Sequence, residues 1–135
     1  MLKTSPSGSL CPYYYMGGEL HPLKYGSQFD RKEELLAVMK AEEAFILQSP
    51  GRHNRRIWVD LYETVLDDEV IAALVDHIIA IEPKIHRICL VGCSGQAERK
   101  LRKRMRSLGM EIEKVIRFDA DPERAKQWLV GAAES

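Results

Sequence analysis

The sequence predicts an α/β protein with a four-stranded, mostly parallel or mixed sheet and about four helices packed against it. Three observations lead there. Short runs rich in β-branched and aromatic residues alternate along the chain with longer segments whose apolar residues recur at helical spacing. One such run, "RICLVG" at 87–92, is apolar on both faces at Ile88, Cys89, Leu90 and Val91, the pattern of a strand covered above and below. The segments between runs are long enough to be helical crossovers, which join parallel neighbours.

Residues 1–10, "MLKTSPSGSL", hold too little apolar matter to order themselves and read as a flexible lead, which leaves 11–135 as the single domain. "YYYMGGEL" opens with strand-forming aromatics at Tyr13, Tyr14 and Tyr15, and the pair Gly17 and Gly18 breaks or bulges this first strand before Leu20. "HPLKYGSQF" reads as a loop. Asp30 then stands where an N-cap opens "RKEELLAVMKAEEAFILQ", a helix with Leu35, Val38, Met39 and Ile46 on its buried face. "SPGRHNRR" punctuates, and "IWVDLY" follows as a strand with Ile57, Val59 and Leu61 on one side.

Val70, Ile71, Leu74, Val75, Ile78 and Ile79 keep helical spacing through "EVIAALVDHIIAI", which ends before Pro83. After the strand at 87–92 and a small-residue turn, Ala97, Leu101, Met105 and Leu108 define the inner face of a basic helix, and Gly109 stops it in the position that favours a left-handed cap. "KVIRF" is the last strand. The closing helix has Asp121 as N-cap, Pro122 at its first position, and Ala125, Trp128 and Leu129 facing in.

Composition narrows the function classes. The chain has 135 residues, enough for one core, and its 20 basic and 20 acidic residues cancel, so no global field points at nucleic acid or a membrane. No apolar run approaches the roughly 20 residues of a membrane-spanning helix. Cys11, Cys89 and Cys93 are an odd number at irregular spacing, which favours a reducing, cytoplasmic setting. His21, His53, His77 and His86 show no metal-ligand spacing, no Walker-type phosphate loop is present, and so no cofactor or metal is expected.

The order of elements and several local strings resemble the STAS domain family, the fold of bacterial anti-anti-sigma factors. The likeness covers roughly residues 13–130. "GEL" at 18–20 sits where the family has a Gly-x-Leu-Asp-like strand end, with His21 in place of the aspartate. "IWVDLYETVLDDEVIAAL" matches the family's second strand and next helix, with Asp60 at the strand-end aspartate and Asp67 at the start of the Asp-Ser-Ser-Gly motif. "ICLVGCSGQAERKLRKRMRSLGM" and "VIRFDADPERAKQWL" resemble its last two strand-helix units. The resemblance implies a non-enzymatic regulatory function in a bacterial cytoplasm. The partner would be a regulatory protein such as an anti-sigma-like kinase, contacted through Asp67, Asp68 and Glu69.

The departure from the family is informative. Where regulatory members carry a serine that a kinase phosphorylates to release the partner, this chain has Asp68 and Glu69, and Val70 replaces the glycine. No hydroxyl is available there, and a carboxylate carries about one negative charge where phosphoserine carries about 1.5 to 2. The switch is therefore either mimicked permanently or lost. The same "LDDE" is also an ordinary helix start, with Asp67 as cap and Asp68 and Glu69 facing the helix dipole.

Two alternatives come from other classes. Cys93 and Arg99 have the Cys-x5-Arg spacing with which several phosphatase families surround a phosphate, but the loop has only Gly95 to let amides converge and no Ser or Thr follows Arg99. A homodimeric scaffold using the first strand or the tyrosine cluster is the other. The basic helix Arg99–Arg106 spreads its charge around three sides, which suits a solvated face better than an acidic partner, and an acidic partner better than nucleic acid.

Overall fold

The computed structural model describes residues 3–11, 13–15, 18–110 and 115–131. Gly17, placed in the predicted strand break, and Lys114, placed at the start of the last predicted strand, lie outside the described residues. Two short strands, β1 (Lys3–Thr4) and β2 (Leu10–Cys11), pair antiparallel with each other. The main sheet then has five strands in the order β3 (Tyr13–Tyr15), β4 (Gly18–Lys24), β5 (Arg55–Asp60), β6 (Ile85–Val91) and β7 (Ile116–Asp119). Only β3 runs antiparallel to its neighbour.

The helices are α1 (Lys32–Leu47), α2 (Asp68–Ile81), α3 (Gly95–Ser107) and α4 (Pro122–Val130). The parallel strands β4 to β7 are neighbours both in sequence and in space, so right-handed crossovers put α1, α2 and α3 on one face of the sheet. The larger core lies there, joining Leu35, Met39 and Ile46 of α1 to Leu74 and Ile78 of α2, Leu101 of α3, and the strand residues Ile57, Val59, Ile88 and Leu90. α4 covers the opposite face, where Ala125 and Leu129 meet Leu20, Cys89 and Val91. β6 is thus buried on both sides, as its unbroken apolar run predicts. Each buried leucine, isoleucine, valine and methionine among these contributes about 1.5–3 kcal/mol by leaving water.

The predicted count of four strands is corrected to five. The first predicted strand divides into β3 and β4, with Tyr15 opposite Gly18, and β4 continues through His21–Lys24, the segment read as a loop. Pro22 explains the misreading. β3 pairs only as far as Leu20, so Pro22 sits where no strand asks for an N–H on the outer side, and its carbonyl there accepts from Ser9 Oγ.

The N-terminal lead is also corrected, because residues 3–10 are built into the domain. Ser5 and Ser9 are buried, and Ser5 Oγ donates to Glu42 Oε2 at 2.6 Å while Ser7 N donates to the same oxygen at 2.8 Å. Ser7 Oγ in turn accepts from Lys24 N on the free edge of β4. Among the described residues, serines hold this segment, by hydrogen bonds to an inward-facing carboxylate and an unpaired strand edge.

Three smaller expectations change. Asp30 does not cap α1: the helix begins at Lys32 without a side-chain cap, and Arg31 instead donates to Ser27 O at 2.6 Å. Phe29, at φ +51, bonds the chain to the loop after β5 through Glu63 O and Val65 N. Ile79 and Leu108, expected inward, are exposed. Asp121 and Pro122 open α4 as predicted, and Gly109 adopts φ +75.

Candidate functional site

The carboxyl ends of the parallel strands gather the loops that open α1, α2 and α3. The loop after β4 and the loop after β5 are stitched together: Ser27 N donates to Tyr62 O, Phe29 N to Glu63 O, and Val65 N to Phe29 O. Thr64 Oγ1 donates to Tyr25 O at 2.7 Å and accepts from Gln28 N. Ser27, Phe29 and Glu63 all sit at positive φ, a conformation that costs a non-glycine residue about 1–3 kcal/mol and is retained where the surroundings hold it. The result is a rigid platform that leaves Phe29 and Val65 each 52% exposed.

Asp67, Asp68 and Glu69 stand at the edge of this platform. Asp67 caps α2, accepting from Val70 N at 2.9 Å, and its other oxygen lies 2.7 Å from Lys32 Nζ. That lysine and the cap amides hold its carboxyl below the usual range. Lys32 also meets Glu69 at 3.0 Å, and Lys100 of α3 meets Asp68 at 3.1 Å. Such exposed pairs are worth little to stability. Asp68, with 88% of its side chain exposed, remains open to a second partner. The three predicted residues therefore come together. Sequence reasoning missed Lys32 and Lys100, which arrive from other helices, and the apolar pair Phe29 and Val65.

A recess of about 240 Å³ opens beside them, lined by Thr64, Leu66, Gly92, Ser94, Gln96 and Lys100 among others. Ser94 caps α3 by accepting from Ala97 N at 3.1 Å. Gly92, at φ +92, lets the turn pass against the loop after β5.

Cys93 lies in the turn after β6, and Arg99 follows it on α3. Cys93 packs half-buried against the larger core, and burial, with a smaller contribution from Glu98, pushes its thiol up to about 12. A nucleophilic cysteine needs the opposite shift. Arg99 is exposed on α3. Cys93 is accordingly expected to react with iodoacetamide near neutral pH far more slowly than a free thiol, a result read by mass spectrometry of the intact protein. Alkylation as fast as that of free cysteine would contradict this.

Tyr13 and Tyr15 of the tyrosine cluster lie near Lys126 Nζ, their ring centroids 5.8 and 5.7 Å away, while Tyr14 is exposed on the edge strand. Among the described residues, no group of three or more His, Cys, Asp or Glu side chains could hold a metal ion, and no helix is long and apolar enough to cross a membrane.

Fold and surface together define an α/β protein with a five-stranded mixed sheet and a mixed apolar and charged platform at the carboxyl ends of its strands. No family model matches the chain, and no curated protein and no solved structure is significantly similar to it.

Proposed function

We propose that this chain is a cytoplasmic, non-enzymatic regulatory domain of the STAS type, which docks a regulatory protein such as an anti-sigma-like kinase through the start of α2. The observation that carries the reading is the platform itself. Two loops locked by backbone hydrogen bonds present Phe29 and Val65 next to the exposed carboxylates of Asp68 and Glu69. Exposed apolar side chains rimmed by charge on a rigid support suit a protein contact better than a small-molecule cleft.

Two placements support the family assignment: Asp60 ends β5 and Asp67 opens α2, the positions at which the resemblance puts them. In this reading the domain works without a phosphorylation switch. Positions 68 and 69 lack hydroxyls, and the nearest, Thr64, spends its own inside the stitched loops. The negative charge that phosphate would bring is present permanently, partly countered by Lys32 and Lys100.

The test is a capture experiment with wild-type protein beside the Asp68→Lys/Glu69→Lys variant, each shown by thermal melting to be folded. A regulatory protein retained by the wild type and lost by the variant is the expected result. Equal retention contradicts the proposal, as does turnover of an aryl phosphate that disappears in Cys93→Ser.

A further inference from the structure

A buried histidine stands where α2 meets α1 and the loop after β4. His77 of α2 is 3% exposed, and both of its ring nitrogens reach other elements. Nε2 lies 2.8 Å from Tyr25 Oη in the loop after β4, and Nδ1 lies 3.3 Å from Glu43 Oε1 on α1. A carboxylate only accepts, so Nδ1 carries the proton of the neutral ring and Nε2 accepts from the Tyr25 hydroxyl. Tyr25 is fully buried, and its burial, with the charges of Glu42 and Glu43, keeps the phenol protonated. The chain from Tyr25 through His77 to Glu43 is thus satisfied with one proton in each contact.

A second proton on the ring has no place in this arrangement. Nε2 would become a donor, and two hydrogens would point into one 2.8 Å contact. Tyr25 Oη has no other hydrogen-bond partner among the described residues, so its displaced hydrogen would be left buried and unpaired, a costly state. Burial holds His77 below its ordinary value, against the pull of the Glu43 and Glu42 carboxylates and with a smaller push from Lys40, all three on α1. The way out for a charged ring is a recess of about 260 Å³ beside it, lined by Met39 and Glu43 of α1 and by Ala73 and Asp76 of α2 among others. An imidazolium turned into that recess keeps Glu43, gains Asp76 and water, and leaves Tyr25.

Tyr25 is placed to transmit the loss. Its N donates to Asp60 O at 3.0 Å, and its O accepts from Thr64 Oγ1 at 2.7 Å, so its backbone belongs to the stitching between the loops after β4 and β5. Its side chain is the buried anchor of the loop that presents Phe29.

We propose that His77 is an acid-sensitive latch on the platform: the neutral ring pins the loop after β4 through Tyr25, and the protonated ring turns toward Glu43 and Asp76 and lets that loop loosen. Its use as a control on docking rests on the partner contact proposed for the platform, whereas the latch itself is read without any partner.

The test is amide hydrogen exchange of the whole protein, followed by NMR at about pH 7.5 and about pH 5.5 and corrected for the intrinsic exchange rate. The Ser27, Phe29 and Val65 amides donate across the two loops. They are expected to lose protection about tenfold at the lower pH, since each unit below the ordinary value of 6.5 favours the released form by about that factor. The amides of β6 should keep theirs, and in His77→Gln, which cannot titrate, the loss should vanish. No loss at the three amides, an equal loss in β6, or the same loss in His77→Gln overturns the proposal; the last would move the effect to His21, His53 or His86. Should His77→Gln fold poorly, nitrogen NMR of the wild-type ring decides. Nε2 is expected to be unprotonated at neutral pH and to titrate together with the loss of protection; an Nε2 already protonated, or a titration apart from that loss, overturns the latch.

Discussion

Glu42→Ala is expected to destabilise the protein by several kcal/mol, about 1–3 kcal/mol for each buried donor left without its acceptor. Glu42 is fully buried on α1 and accepts from Ser5, Ser7 and His21 at once. Its removal leaves a buried imidazole and two serines without their acceptor and releases the N-terminal hairpin from α1. Glu42→Gln, which keeps an acceptor oxygen but not the charge, is expected to lose less. The network also sets a pH dependence. The Glu42 carboxyl is held below its reference value of 4.5, so its contribution is complete above that value and is lost as the pH falls through the lower folded value. Denaturant unfolding of wild type and Glu42→Ala across that range checks both statements. The difference between them should shrink in acid, and a constant difference would contradict the account.

Gly92→Ala is the second large effect. At φ +92 an alanine bears about 1–3 kcal/mol of backbone strain. Its Cβ would also stand 2.6 Å from Tyr62 N and 2.9 Å from Leu61 C, which are backbone atoms and cannot swing aside. The turn after β6 and the loop after β5 must then separate, and that loop carries Tyr62, Glu63 and Thr64 into the platform. Gly92→Ala should therefore lower the denaturation midpoint more than Gly109→Ala, whose Cβ meets nothing within 4 Å. Equal losses at the two glycines would show that conformation alone, without the close approach, sets the cost.

Much of this fold is legible in the sequence because its elements satisfy two requirements at once. α2 and α4 each combine a clean apolar period with an end signal, Asp67 for α2 and Asp121 with Pro122 for α4, and β6 shows as an unbroken apolar run. What escaped has a common physical basis: polar residues held in place by partners distant in sequence. β4 contains His21 and Pro22, and over His21–Lys24 its pairing with β5 and the cover from Ser7 and Ser9 make it a strand. Glu42 falls on the buried stripe of α1 between Met39 and Ile46. A charged residue at that point in the period is a signal that something must meet it, and the serine-rich lead is what does. The candidate site divides in the same way. The caps at Asp67 and Ser94 follow from local sequence, whereas Phe29 and Val65 come together through hydrogen bonds between two loops whose meeting no local pattern encodes.

The central claim is that the carboxylates at the start of α2 form a protein-docking surface on an intact fold. The most direct measurement compares wild type with the Asp68→Lys/Glu69→Lys variant for binding to the protein retained in the capture experiment, after thermal melting has shown that the two are equally folded. The account predicts tight binding by the wild type and its loss in the variant. Unchanged affinity after reversal of both charges would contradict it.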